Sequence, residues 1–434
     1  MKKISLILLI AACVLWAGAA VYKFTSIRNQ QSQKVTITFA QYWQDETDTR
    51  FLDSLIADFE QENPLITVQV LDMSGAALQD RILGFINEED PRKRKRNPLP
   101  DILALDSRWS GVFDFGELLL PLEQYIAGDS QLSAELAFSG AVQDEPVLIM
   151  PAVSFSYPLF YNIKLLRESG FDRPPKSREE FLAYVRTIAG GGSGIYGTAL
   201  ALSPENPYGI TGDLYAWLCA SGPAITQGNT LDFTSREAVR GLTFLSAFAE
   251  ENSLDPGFAG TADREKLDSF AAGKTAMIIG SVGDIACIRG KAPELDFGVT
   301  AVPAQASYIG KPYFAVRSWY LGIPKESPRD EAAWRFISFL LGKDRNEYLA
   351  SRVYGIPANG NAQPERLNHD DLYEKLLSLT DSGEGIAELY GFSQAGVLET
   401  IIREETIRML NGEQSPEETA AAIQSRWDAP GSGD

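Results

Sequence analysis

From Lys34 onward, apolar residues recur with two periods that take turns. Val35, Ile37 and Phe39 alternate as in a strand with one buried face. A loop with Gln41, Tyr42 and Trp43 follows. Phe51, Leu52, Leu55, Ile56 and Phe59 then recur at helical spacing, and Asn63-Pro64 ends that helix. Ile66, Val68 and Val70 alternate again. Strand, helix and strand in this order predict a βαβ opening and an α/β fold with a mainly parallel sheet and helices on its faces. Asp101 to Leu105 is the next predicted strand, with Asp106, Ser107, Arg108 and Trp109 just past its carboxyl end. Leu118 to Ile126 is an apolar helix or turn carrying Pro121, Val147 to Met150 a short buried strand, and Pro151 to Pro158 a crossover.

Helix starts are marked further on. Ser177 with Glu180 forms a capping box ahead of Phe181, Tyr184, Val185 and Ile188, and Thr234 with Glu237 does the same ahead of Val239, Leu242, Leu245 and Phe248. Ser327-Pro328 opens a third helix, buried through Ala333, Trp334, Ile337, Leu340 and Leu341 and stopped by Gly342. Glu88 to Pro100 breaks the pattern with the run Arg92-Lys93-Arg94-Lys95-Arg96, which is either a docking patch or a solvated loop.

Length and charge narrow the function. A chain of 434 residues has room for more than one core, and 39 basic against 58 acidic residues give a net charge of -19, which disfavours a nucleic-acid partner. Lys2 and Lys3 precede Ile4 to Tyr22, an apolar run long enough to span a bilayer, and the positive-inside rule sends the rest of the chain out of the cytoplasm. That run fits an uncleaved anchor, a signal cleaved near Ala17-Gly18-Ala19, or a lipoprotein box acylated at Cys13. Cys219 and Cys287 carry no motif spacing; they are either a disulfide or two separate thiols. His369 is the only histidine, which leaves little for a metal site or a histidine-based triad.

Two motif matches fail on context. Gly192-Ser193-Gly194-Ile195-Tyr196-Gly197 has the spacing of a dinucleotide fingerprint, but a helix precedes it and a strand follows, the reverse of what pyrophosphate binding needs. Gly273-Lys274-Thr275 lacks the first glycine of a phosphate loop, because Asp268 stands there. No cofactor is expected. The aromatics are more informative: Trp43, Trp109, Tyr157, Trp217, Trp319 and Tyr320 fall in loops or at element ends, where a ring can stack on a sugar face or simply join a core.

In their order, these segments resemble family 1 of the extracellular solute-binding proteins, the maltose-binding-protein group. FLDSLIADFEQENPLITVQV (51–70) is similar to its first helix, Asn-Pro turn and second strand, and PDILALDSRW (100–109) to the strand and ligand loop after them. Tyr161 to Leu166, Gly170-Phe171 and Pro174 to Phe181 resemble the stretch after the first crossover. FAAGKTAMIIG (270–280) resembles the returning strand, continued by Phe297-Gly298-Val299 and Val302-Pro303, and Ala332 to Leu341 resembles the late helix.

The resemblance implies a two-lobed, type II periplasmic-binding-protein fold with a cleft between the lobes. One lobe is expected from 35–152 and 279–342, the other from 153–278 and 343–434, after an anchor and linker at 1–34. It implies a monomeric, extracytoplasmic subunit of an ABC importer that closes on a small molecule, a sugar by family habit, and docks on the permease subunits. The carboxyl ends of the strands point to Gln41, Trp43, Asp106 and Trp109 as ligand contacts. The resemblance adds Tyr157, Asp213, Trp217, Ser281 and Trp319. Many sugar-binding members carry a tryptophan after Gly280-Ser281, where this chain has Val282 and Gly283. A polyol or a glycerol phosphodiester is a further ligand class, for which Arg108 and Arg317 are available. Two other functions stay open: a binding protein feeding a sensor or chemoreceptor, and a carbohydrate-active enzyme using Asp106 or Asp213.

Overall fold

The structure is a computed structural model that describes residues 34–45, 49–106, 109, 112–129, 132, 146–191, 194–204, 210–227, 230–250, 253–363, 370–386 and 395–429. The run Ile4–Tyr22, Cys13, Ser107, Arg108 and His369 lie outside them. Among the described residues no helix is long and apolar enough to cross a membrane.

The chain opens as βαβ: β1 (Val35–Gln41), α1 (Phe51–Glu62) and β2 (Ile66–Asp72), with β1 and β2 parallel in the register Val35 to Ile66. Helix α2 (Gly75–Ile86) runs back along the sheet and α3 (Pro91–Arg96) leads into β3 (Ile102–Leu105), also parallel to β1. The basic run is therefore a short helix, not a loop. Asp90 caps it by accepting from the Arg92 amide at 2.9 Å, and Pro91 occupies its first turn, where a missing N–H costs nothing. Around Pro121 the predicted single element is split into α4 (Phe115–Leu118) and α5 (Glu123–Gly128).

Strand β4 (Met150–Ser156) continues as β5 (Leu159–Asn162), followed by α6 (Ile163–Glu168), α7 (Arg178–Gly190) and β6 (Tyr196–Thr198). A hairpin of β7 (Thr226–Gln227) and β8 (Thr230–Leu231) precedes α8 (Arg236–Glu250), α9 (Asp263–Ala271), β9 (Thr275–Ile279), α10 (Asp284–Lys291) and β10 (Phe297–Thr300). The chain ends with β11 (Tyr313–Gly322), α11 (Asp330–Leu341), α12 (Lys343–Val353), β12 (Ile356–Pro357), α13 (Asp371–Asp381), β13 (Glu384–Ile386), α14 (Ala395–Leu410) and α15 (Pro416–Trp427).

Two sheets organise these elements. The larger runs β12-β4-β11-β3-β1-β2, with β13 beside β11, and the smaller runs β10-β5-β9-β6. Both are mixed. Parallel pairing is confined to β2-β1-β3, β11-β13 and β6-β9, because β4 and β11 pass antiparallel through the larger sheet and β5 pairs antiparallel on both sides in the smaller. Strand β10, within the 279–342 segment expected in the first lobe, pairs with β5 of the smaller sheet.

Two buried clusters line the sheets, and the first reaches from the larger sheet to Phe160, Ile278 and Phe297 of the smaller. Phe39, Phe59, Phe336 and Ile337 are fully buried against the larger one; Phe181, Trp217, Phe248 and Ile402 belong to the other cluster, where α14 and α15 pack on α8. The Ser177 cap forms as expected, accepting from the Glu180 amide at 3.2 Å. At α8 it is Ser235, not Thr234, that accepts from the Ala238 amide at 3.2 Å, while Thr234 donates to Asp232. Helix α11 begins at Asp330, because Ser327 instead binds the Asp101 carboxylate at 2.9 Å.

Candidate functional site

The two sheets are joined where β4 runs on into β5, with the segment after β9 beside that crossing. Strand β4 stays in the larger sheet to Ser156; Tyr157-Pro158 interrupts the ladder, since proline has no N–H to give, and β5 resumes in the smaller sheet. The return from β9 runs alongside: the Gly280 amide donates to Pro158 O at 3.3 Å and the Val282 amide to Ser156 O at 3.1 Å. Strand β11 closes the floor, with Ala315 O accepting from the Tyr157 amide at 3.1 Å. A side chain at Gly280 would meet the Phe160 ring and the Asp284 carboxylate, both at 3.1 Å, so the crossing strands require a small residue there.

Buried charge gathers around this crossing. On the larger sheet, Asp106 at the end of β3 faces Arg317 of β11 at 3.9 Å, and the guanidinium lies 5.2 Å from the Phe155 ring centre. Beside the smaller sheet, the Lys266 ammonium of α9 donates to Asp213 at 2.7 Å and lies 3.4 Å from Asp263. Asp213 sits in a π-helical turn (Thr211–Tyr215) that packs on β11, and the Tyr157 ring lies 3.0 Å from where a side chain at Gly212 would begin.

Burial lifts the Asp213 carboxyl to about 6 although Lys266 pulls it down. Burial also penalises the Lys266 ammonium, but Asp213 and Asp263 outweigh that and hold it above the usual lysine range, so the pair is ionic at neutral pH. Burial pushes the Asp284 carboxyl up to about 7, opposed by Lys266 and Arg317. Asp284 also accepts from the Ser281 amide at 2.7 Å, which ties it to the segment after β9.

Aromatic rings fill the side next to Arg317. Trp43 and Trp319 stack at 4.5 Å with 10° between planes, and Phe155 meets Trp319 edge-on at 5.0 Å. Gln41 fixes this corner by accepting from the Trp43 amide at 2.6 Å and donating to Asp72. The buried Trp43 indole N–H has no partner among the described residues. Trp109 lies against Tyr42 at 5.2 Å, and its amide donates to Asp106 O at 3.0 Å.

Of the residues expected to bind ligand, Gln41, Trp43 and Trp319 thus form one corner, and Asp106, Tyr157, Asp213 and Ser281 line the crossing, with Trp109 adjacent. Trp217 does not join them. It is buried among Phe181, Phe244 and Phe248, 4.6 to 5.7 Å away, and its carbonyl accepts from Arg178. A tryptophan near a helix start looked available for stacking, but the turn that carries it is folded into the core of the smaller half. Lys266, Asp263, Asp284 and Phe155 went unnoticed in the sequence. The one sign was the i, i+3 spacing of Asp263 and Lys266, which is equally common on solvated helices. Cys219 and Cys287 are not joined by a disulfide.

The bacterial extracellular solute-binding protein profile matches residues 43–347, well over half of the chain. The chain belongs to that family. A binding protein of Brucella abortus is 22% identical over 349 residues, 80% of each chain. Two solved structures share the fold. The GacH receptor of Streptomyces glaucescens, solved unliganded and with acarbose, superposes with a TM-score of 0.72 at 19% identity, covering 91% of this chain and 98% of that one. UgpB of Mycobacterium tuberculosis, solved with glycerophosphocholine, gives 0.75 at 19% identity and covers 90% and 97%. This solute-binding protein therefore has the two-lobed type II architecture.

Proposed function

We propose that this solute-binding protein captures a neutral, polyhydroxylated ligand, a mono- or oligosaccharide, in the cleft at the crossing and delivers it to importer permease subunits without chemical change. The supporting observation is that the two buried cations at the crossing already have counter-ions from the protein, Arg317 facing Asp106 at 3.9 Å and Lys266 holding Asp213 at 2.7 Å. A phosphorylated ligand would have to displace a buried carboxylate, whereas sugar hydroxyls can bond to carboxylate and cation alike while rings cover the sugar's C–H face. The acarbose bound by GacH favours this reading; the glycerophosphocholine bound by UgpB keeps a phosphodiester as the competing one.

The residues assigned to the ligand are Gln41, Trp43, Asp106, Trp109, Tyr157, Asp213, Ser281, Arg317 and Trp319. The lobes are assigned by sheet membership, β1 to β4 with β11 to β13 against β5, β6, β9 and β10. The chain then changes lobe at Tyr157 and between β10 and β11. Closure is hinge motion about those strands, driven by a ligand that touches both sides. The protein works outside the cytoplasm, held at the membrane by Ile4–Tyr22.

A thermal-shift screen of saccharides, polyols and glycerol phosphodiesters tests the assignment. Ligand at one hundred times its Kd adds about 2.7 kcal/mol of stability. A large shift with one saccharide and no product formed is the expected result. A shift with phosphodiesters alone, or steady loss of added glycoside, would overturn it. Trp109→Ala should weaken binding by more than about 1 kcal/mol, and an unchanged Kd would remove Trp109 from the site.

A further inference from the structure

The basic run has no part in the cleft, and its placement is informative. Arg94 is used up internally: it donates to Glu88 O at 2.6 Å and Ile86 O at 3.0 Å, lies 5.4 Å from the Phe85 ring centre, and faces Glu326 at 3.9 Å. These contacts pin α3 to the end of α2, and Lys93 adds an ion pair to Glu88 at 3.5 Å. Arg92, Lys95 and Arg96 are exposed, and none has an ion-pair partner among the described residues. Over 88–96 the five cations meet three carboxylates, Glu88, Glu89 and Asp90, which leaves the segment a net charge of +2. In a chain of net charge -19 this is an isolated positive surface.

Topology fixes where that surface points. Strands β1, β2 and β3 are parallel, so α2, leaving the carboxyl end of β2, runs back to their amino end. Helix α3 therefore sits at the amino end of the sheet, and Arg81 of α2 reaches Pro98 O there at 3.2 Å. Val35, the first residue of β1, lies at the same end, its amide donating to Leu65 O at 2.8 Å. The cleft residues Gln41 and Asp106 follow the opposite, carboxyl ends of β1 and β3. The chain arriving from the apolar run Ile4–Tyr22 thus meets the fold at the pole that carries α3, with only Lys23 to Lys34 between them. Twelve residues can span no more than about 43 Å, which keeps this pole close to the bilayer in a tethered molecule.

We propose that Arg92, Lys95 and Arg96 form a docking surface for anionic lipid headgroups, which rests the tethered protein by its amino-end pole on the membrane when it is not docked on the permease. This rests on the tether reading above. An apolar segment plus a basic patch is a two-signal attachment, and three cations give on the order of a tenfold to hundredfold preference for an anionic over a neutral surface at low salt.

The full chain, mixed with phosphatidylcholine vesicles with or without phosphatidylglycerol, is read by flotation and by amide hydrogen exchange of peptides covering 88–98. Flotation with both vesicles, with exchange at 88–98 slowed only by phosphatidylglycerol and restored in 0.5 M salt, is expected. Replacing all three residues (Arg92→Gln, Lys95→Gln, Arg96→Gln) should abolish the slowing while leaving flotation and ligand binding unchanged. Flotation with both vesicles and no lipid-dependent difference at 88–98 overturns the surface and spares the tether. Flotation with anionic vesicles alone, lost in the triple variant, upholds the surface and removes the tether. Flotation with neither overturns both. Slowed exchange only when the permease is reconstituted too, whatever the lipid, would reassign the patch to an acidic protein face.

Discussion

Replacing Lys266 by methionine keeps the length of the side chain and removes its charge. The side chain is 3% exposed, and its ammonium sits 2.7 Å from Asp213 and 3.4 Å from Asp263. Breaking a buried pair at one partner costs about 3–5 kcal/mol, because the other charge is left without compensation. Asp213 has one escape, which is to take up a proton. Holding it neutral at pH 7, when its unfolded pKa is 3.8, costs about 1.36 × 3.2, or roughly 4 kcal/mol, and at pH 5 about 1.6 kcal/mol. Asp263 is partly exposed and can be solvated where it stands. The variant should therefore lose up to about 4 kcal/mol at pH 7, and its deficit should shrink by about 1.4 kcal/mol per pH unit only down to about 6, where wild-type Asp213 takes up a proton as well and the two proteins titrate alike. Urea unfolding of both proteins at pH 5, 6, 7 and 8 measures the difference directly. A deficit that is the same at pH 5 and pH 8 would refute the reasoning, since lost packing does not titrate.

Three further outcomes follow from the same structure. Asp284 has its pKa raised from 3.8 to about 7, so the folded state holds a proton that the unfolded state has released; its contribution is fully present below pH 4 and is lost as pH rises through 7. Asp284→Asn, which keeps an acceptor for the Ser281 amide, should thus stabilise the protein at pH 8 by a few kcal/mol and by almost nothing at pH 4, as read from melting temperatures at the two pH values. Trp217→Ala should cost about 3–5 kcal/mol in urea unfolding yet leave the ligand Kd within twofold, because its neighbours are Phe181, Phe244 and Phe248. Gly197→Ala should cost about 1–3 kcal/mol, because the new methyl would lie 2.4 Å from Val185 Cβ; a melting temperature equal to wild type would show that α7 can move off β6 freely.

The βαβ opening was legible in the sequence because each of its elements is amphipathic and meets solvent on one face, as in α1, where Phe51, Leu52, Leu55 and Phe59 are buried and Asp53 and Ser54 are exposed. Strands β4 and β11 were harder. Their residues are buried almost throughout, so no alternation marks them, and β4 begins at Met150, where a crossover was expected to take over. Carboxylates and rings at strand ends could be placed by the rule that ligands sit past the carboxyl ends, which singled out Asp106 and Gln41. Lys266 could not: it lies beside Leu267 on a helix that also carries Arg264, Glu265 and Asp268, and only the tertiary approach of the turn around Asp213 turns it inward. The basic run showed its charge but not its shape, because the contacts that make it helical, from Arg94 back to Glu88 and Ile86, join it to the preceding helix.

The pairing of the buried charges has a mechanical consequence. Arg317 faces Asp106 within the larger sheet, and Lys266 is matched by Asp213 and Asp263 on the side of the smaller one. Each buried cation at the join thus has an anion on its own side. Rotating the halves apart would part neither Arg317 from Asp106 nor Lys266 from Asp213, so the empty protein can swing open and shut without breaking either pair. The balance between the two postures is then left to whatever bridges them, and a weakly held solute can tip it.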